Sequence, residues 1–480
     1  MNKKTTAMLM VLSMLIGAGG TYAGMQLAAP DGDHDLSLVA SDKTLTDNEE
    51  KELKKVEQAY ELIKSRYVEK VDDDKLIQGA IQGMISTLND PYSVYMDEKT
   101  TEQFNESLDS SFEGIGAEVS MIDGKVTIVA PIKNSPAEKA GLKPNDQILR
   151  VNGESLEGLD LYEAVLKIRG KKGTTVQLDV LRPGVKDVIK VKVVRDEIPI
   201  ETVYDSVKTY NGKKVGYLEV TSFSENTAQD FKKKLAKLEE DHIDGLIIDV
   251  RGNPGGYLQS VEEILKQFIP KDKPYVQIEE RNGDKQRFYS DLTAKKPYPI
   301  VVLIDKGSAS ASEILAGAMK EAGGYKLVGE TSFGKGTVQQ AIPMGDGSNI
   351  KLTLYKWLTP DGHWIHKKGV KPDVEVKQPD YFHASPLHIE KALSFDMNNE
   401  QVKNAQQMLK GIGFDPGRTD GYFSKETEAA VKAFQKANKL PPTGKIDKNT
   451  ADVLQAKVMD AIRSEDNDVQ LKTAMKVLFQ

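Results

Sequence analysis

Apolar residues in this chain recur in two rhythms, and the order in which they occur outlines its architecture. Pro299-Ile-Val-Val-Leu-Ile304 is a continuous apolar run, and Leu246-Ile-Ile-Asp-Val250 is nearly one. Runs of that length predict strands covered on both faces. From Glu313 to Ala322 the spacing becomes helical through Ile314, Leu315, Ala318 and Met319. The same spacing marks Val56, Tyr60, Ile63 and Tyr67, then Leu76, Ile77, Ile81 and Ile85, within Leu45 to Leu88. These amphipathic helices lack an obvious partner in the chain, so they pack either within the monomer or against a second copy. Glu118 to Met121 and Lys125 to Ala130 flank Asp123-Gly124, a hairpin signal, and Ser135-Pro136 opens a short helix that Gly141 closes.

The first 29 residues read differently. Lys3 and Lys4 precede an apolar stretch from Ala7 to Ala18, and Thr21-Tyr-Ala23 offers small residues at a cleavage spacing. That pattern is a secretory signal, or, if uncut, a span continuing through Ala29 that anchors the chain at the outer face of a membrane. Residues 30–44 form a polar linker.

Composition narrows the chemistry. At 480 residues with 39% hydrophobic content the chain has room for several packed domains. A net charge of −7 gives no sign of nucleic-acid binding, and zero cysteines exclude disulfides, thiol catalysis and cysteine-based zinc sites. His363 and His366 do not form a metalloprotease pattern, so neither a metal nor any other cofactor is expected.

What remains is a serine with a lysine. Gly307-Ser-Ala-Ser-Ala-Ser-Glu313 lies between the second apolar run and the helix that follows, so Ser310 falls at a strand-to-helix turn. There the N–H of Ala311 has no intrahelical acceptor and can face a developing oxyanion. Asp249-Val-Arg-Gly-Asn-Pro-Gly-Gly256 follows the first run, and its glycines permit close approach, which makes Gly255 or Gly256 the second donor. In Phe333-Gly-Lys-Gly-Thr-Val-Gln339 two glycines flank Lys335, and Gln339 is spaced to orient its amine. A lysine can act as a base at neutral pH only if burial lowers its pKa by roughly three units, about 4 kcal/mol.

Residues 80 to 380 resemble the carboxyl-terminal processing proteases, PDZ-containing serine peptidases with a Ser/Lys dyad. The resemblance is carried by features in a fixed order: Leu88-Asn-Asp-Pro-Tyr-Ser-Val-Tyr95, the PDZ segment, the Arg251 to Gly256 loop, the two dyad segments, and Leu358-Thr-Pro-Asp-Gly362 with Gly369-Val-Lys-Pro-Asp373. It implies Ser310 as nucleophile, Lys335 as base, Gln339 in support, and oxyanion contacts from Gly255, Gly256 and Ala311. One departure is Asp361-Gly-His-Trp-Ile-His366, where relatives more often carry small or polar residues around an arginine. Bacillus members lie nearest, which implies a role in sporulation signalling.

The expected fold is multidomain α/β. A helical region at 45–105, with a role in dimerisation, precedes a mostly β PDZ domain at 112–198 and a crotonase-like sheet-and-helix core at 199–380. A helical module at 397–455 resembles a peptidoglycan-binding domain and serves either the cell wall or dimerisation; 456–480 is read as a tail. Within the PDZ segment, Gly114, Ile115, Gly116 and Ala117 form the loop expected to receive a peptide carboxylate, and Arg169 is expected to couple that groove to the core. The partners implied are protein or peptide substrates with free C-termini, a second copy of the chain and the cell wall, in a secreted or membrane-anchored setting. Two other readings stay open, an acyl-CoA enzyme of the crotonase type and a non-catalytic cell-wall adaptor.

Overall fold

The continuous apolar runs become the centre of a six-stranded sheet. In the computed structural model its order is Val203–Tyr210, Lys213–Val220, Gly245–Asp249, Ile300–Ile304, Lys326–Gly329 and Val374–Glu375. The first pair is antiparallel and every later pair parallel. The structure describes residues 46–480 apart from 107, 123, 133, 160, 184 and 186. The expected leader and linker, and Asp123 of the hairpin turn, lie outside the described residues.

All of Gly245–Asp249 and Ile300–Ile304 is buried, because both faces of the sheet are covered. Helices Thr227–Glu240, Leu258–Leu265 and Ala311–Glu321 bring Phe231, Leu235, Ile264 and Leu315 to one face, where they join Leu246, Ile248 and Val302. The opposite face is closed by an element the sequence reading took for a tail. Residues to Arg463 continue the helix Lys448–Arg463, and Val469–Leu478 forms a helix of its own. Leu471, Ala474 and Leu478 recur at helical spacing and pack on Val215, Ile247, Val301, Leu303 and Val328. A side chain at Gly245 would come within 2.8 Å of Leu478, so the glycine makes room for the helix.

A second sheet runs Val94–Met96, Asn349–Leu358, Val276–Glu279 and Lys285–Phe288, and Thr337–Pro343 also pairs with Asn349–Leu358. The PDZ segment has its own sheet and core, in which Ile128, Leu178 and Val180 pack with Ala164 and Ile168 of the helix Leu161–Ile168. Its strand Ala117–Ile122 lies at the sheet edge. Helices Glu400–Gly411, Lys425–Ala437 and Lys448–Arg463 enclose a third core around Leu409, Phe434 and Leu454. The helices Asp47–Arg66 and Asp73–Ser86 differ from all of these, since Leu53, Val56, Leu62, Ile63, Ile77 and Met84 are exposed. Among the described residues no helix is long and apolar enough to cross a membrane.

If Val469–Leu478 covers the sheet, Leu471→Ala and Leu478→Ala should each lower stability by about 2–5 kcal/mol. Urea unfolding followed by circular dichroism measures this. Wild-type stability in Leu478→Ala would mean that the face is not covered by this helix.

Candidate active site

Three loops meet at one end of the central sheet because they leave the carboxyl ends of three adjacent parallel strands. Gly245–Asp249 leads into the glycine loop, Ile300–Ile304 into the Ser310 turn, and Lys326–Gly329 into the segment that carries Lys335. Ends of this kind are where open α/β sheets form their sites.

The glycine loop and the serine turn are joined through Asn253, which is fully buried. Its amide donates to the Val220 carbonyl at 2.7 Å, and its own carbonyl accepts from Ala309 N–H at 3.0 Å and from Ser312 Oγ at 2.9 Å. A side chain at Gly255 would lie 2.9 Å from Ser310 Cβ, so only glycine lets the loops approach this closely. The Gly255 N–H is taken, donating to Asn253 Oδ1 at 2.8 Å. Ala311 is the first residue of the helix Ala311–Glu321, where a first-turn N–H has no intrahelical acceptor. Ser310 itself has φ 54°, a left-handed backbone rare outside glycine and typical of strained functional turns.

Glu313 ties the serine turn to the lysine segment. Its carboxylate is wholly buried and accepts Ser310 N–H at 2.9 Å and Lys335 N–H at 2.8 Å on one oxygen. The other oxygen accepts Gly334 N–H at 2.6 Å and Ser332 Oγ–H at 2.5 Å. Burial raises this carboxyl above the ordinary carboxylate range, and the four donors oppose that rise. Two indoles hold the same segment from the other side. Trp357 donates to the Lys335 carbonyl at 2.8 Å, and Trp364 to the Gly336 carbonyl at 2.7 Å.

Lys335 is 2% exposed, with its Nζ 5.1 Å from the centre of the Tyr92 ring. Burial and then the charge of Lys351 lower its pKa to about 7, against the opposing pull of Glu313 and Asp90. Gln339 lies on Thr337–Pro343 and donates its amide to Thr337 Oγ1 at 2.9 Å and Thr353 Oγ1 at 3.1 Å. Ser310, Ala311, Gly255, Gly256 and Lys335 therefore belong to one cluster of loops, with Gln339 four residues beyond the lysine on the second sheet.

The PDZ residues belong to a separate place. Gly114 ends a strand paired with Asp196–Pro199, Ile115 is buried in the PDZ core, and Ala117 starts the edge strand. Gly116 has φ 73°, and a side chain there would meet Ser135 at 2.5 Å. Arg169 follows the helix Leu161–Ile168 and reaches outside the PDZ core, pairing with Glu106 at 2.5 Å and lying 5.0 Å from the Phe112 ring. Between them lies a cavity of about 780 Å³ bordered by Glu102, Glu106, Asp109, Phe112, Arg169 and Glu225.

Sequence reasoning missed Asn253 and Glu313, although Ser310 and Glu313 have the spacing of a capping box and could have been found by it. It also missed Asp468. Arg251 of the glycine loop bonds Asp249 and reaches Asp468 Oδ2 at 2.8 Å, just ahead of the helix Val469–Leu478. A fold contact 217 residues long leaves no local signal.

The chain matches the models for peptidase family S41 over residues 214–376, for the PDZ domain over 114–193, for the CtpB activating-protease N-terminal domain over 14–100 and for a putative peptidoglycan-binding domain over 398–454. It is 61% identical to the carboxy-terminal processing protease CtpB of Bacillus subtilis over 479 residues, covering 100% of both chains. Against CtpA of the same organism identity is 46%, over 88% of this chain and 90% of that one. Among solved structures, the photosystem II D1 C-terminal processing protease is 25% identical, with 67% of this chain and 92% of that one covered at a TM-score of 0.41.

A buried lysine whose pKa falls from 10.5 to about 7 costs the fold stability. Between those values the unfolded chain holds a proton that the native state lacks, so stability rises with pH across that window, and the full cost applies below it. Lys335→Met should therefore be more stable than the wild type at pH 6, by roughly 4 kcal/mol, with the gap closing towards pH 10. Chemical denaturation across that range would read it, and a pH-independent difference would refute the assigned shift.

Proposed function

The chain belongs to the carboxy-terminal processing proteases, serine peptidases of family S41, and on that footing we propose that Ser310 is its nucleophile and Lys335 its general base. The observation that carries this reading is a buried amine, able to be neutral near pH 7, in a segment tied through Glu313 to the backbone of Ser310.

In the proposed mechanism the neutral Lys335 amine takes the hydroxyl proton of Ser310 as Oγ attacks the scissile carbonyl. The N–H of Ala311 and that of Gly256 receive the oxyanion; Gly255 lines the same loop but has already committed its own N–H to Asn253. The Lys335 ammonium then protonates the leaving amine, which breaks the C–N bond and leaves an acyl-enzyme. A water, deprotonated by the same amine, releases the new carboxyl terminus and restores Ser310. Gln339, anchored by two threonine hydroxyls, orients the lysine. The parallel strands with three helices on one face and Val469–Leu478 on the other support the reading of a crotonase-like core.

Substrates enter this reading through the PDZ domain. An incoming C-terminal peptide extends the sheet along the free edge of Ala117–Ile122, with its carboxylate at the Gly114 to Ala117 loop. Arg169, bonded to Glu106 outside the PDZ core, is the residue through which that peptide shifts the balance between inactive and aligned arrangements. The C-terminal helical module holds the enzyme at peptidoglycan on the outer side of the membrane, and the exposed apolar faces of Asp47–Arg66 and Asp73–Ser86 join two copies.

Ser310→Ala and Lys335→Ala should each abolish peptide hydrolysis with folding retained, and Gln339→Ala should leave weak activity. Wild-type activity should rise with pH through about 7 as Lys335 loses its proton. Undiminished cleavage by purified Ser310→Ala would end the serine mechanism.

Light scattering at micromolar concentration should give a dimer for the protein from residue 46 onward and a smaller mass once residues 46–88 are removed. A monomer in the first measurement rejects the pairing.

A further inference from the structure

The strand Asn349–Leu358 contains a second buried lysine that the chemistry above does not use. Lys351 is 3% exposed, yet it makes no ion pair or side-chain hydrogen bond among the described residues. Buried lysines ordinarily meet a carboxylate. This one lies over an aromatic ring instead, its Nζ 5.0 Å from the centre of Phe104.

Its place in the sheets puts it next to the dyad. Ala341 is its cross-strand partner on one side and Val94 on the other. Two residues along its strand, on the same face, Thr353 holds the Gln339 amide. Two residues before Val94, Tyr92 carries Lys335 on its ring. The segment Leu88 to Tyr95 thus pairs with the strand of Lys351 through Val94 and meets Lys335 through Tyr92, and its carboxylate, Asp90, acts on both amines. That carboxylate is partly engaged, accepting Ser93 Oγ–H at 2.6 Å and Tyr92 N–H at 3.1 Å.

We infer that Lys351 is a positioning residue that keeps the Lys335 amine neutral by charge repulsion. The inference rests on the reading of Lys335 as the base. A lone cation in a low-dielectric interior acts on a neighbouring cation more strongly than it would in water. The groups facing Lys335 divide accordingly. Lys351 pushes its proton off, and Glu313 and Asp90 pull the other way. Glu313, however, already accepts four hydrogen bonds, and the Tyr92 ring adds no full charge. His366, packed against Gly336, is itself held towards neutrality by burial and by Lys367. Lys351 is lowered less, to about 8, and its cause is burial alone, opposed by Asp90. On this proposal Lys335 gives up its proton before Lys351, which keeps its charge while Lys335 is neutral.

The test compares Lys351→Met with Lys351→Arg in the full chain, by two readouts. One is the pH profile of peptide hydrolysis. The other is the titration of Lys335 itself, from the pH dependence of its acylation by acetic anhydride, quantified by mass spectrometry. Lys351→Met should move both upward by about one pH unit, lowering the rate at pH 7 about fivefold, with the wild-type plateau recovered at high pH. Lys351→Arg keeps the charge and should follow the wild type. A Lys335 titration unmoved in Lys351→Met, a rate loss that persists on the plateau, or an equal defect in Lys351→Arg would each overturn the proposal. The two readings also separate. If the Lys335 titration moves while the rate profile does not, the repulsion stands and the base assignment falls. If neither moves while Lys335→Ala is inactive, the base stands and the role of Lys351 falls.

Discussion

One buried carboxylate, that of Glu313, sets the geometry between the Ser310 turn and the Lys335 segment. A carboxylate with no water around it is tolerated only when its oxygens are fully hydrogen-bonded. Glu313 meets that demand with donors from two loops that are distant in sequence, and in doing so fixes their distance. The constraint runs both ways, since without this acceptor the N–H groups of Ser310, Gly334 and Lys335 would be buried and unsatisfied, at about 1–3 kcal/mol each. A network of this kind has one low-energy arrangement, so the serine and the lysine are positioned by the fold before any substrate arrives.

The same site holds features that act against folding. Ser310 takes a left-handed backbone, and burial disfavours the charged forms of Lys335 and Lys351. The two well-filled faces of the central sheet, with Phe231, Leu315 and Val302 on one side and Leu303, Leu471 and Leu478 on the other, offset that cost. Stability is thus concentrated in the strands and helices and withheld from the loops at their ends.

The sequence made the local parts legible and left the long-range ones hidden. Ile300–Ile304 and the helix after Ser310 follow from apolar runs and periodicity, so the strand-to-helix turn was readable from nearest neighbours. The PDZ hairpin and the Ser135 cap were readable for the same reason. Asn253 and Lys351 look unremarkable in sequence, because their significance comes from what packs around them across tens of residues. The segment from 456 was misjudged on the same grounds. Leu471, Ala474 and Leu478 make a stripe too short to declare itself, and the sheet face it covers is assembled from strands far earlier in the chain.

Arg251 bonds Asp468, so the loop beside the serine is braced by residues near the far end of the described chain. The order in which a polypeptide emerges gives this brace a temporal meaning. A chain that has been made, or threaded through a membrane, only as far as the glycine loop already holds Asn253, and a little later Ser310 and Lys335. Until residues 468 to 478 arrive, one face of its central sheet has no cover, and Arg251 has Asp249 but not its second acid, Asp468. Every segment proposed to bear the chemistry precedes the one that completes its support, so on that reading a protease of this build is finished last at the place where it is most dangerous to be finished early.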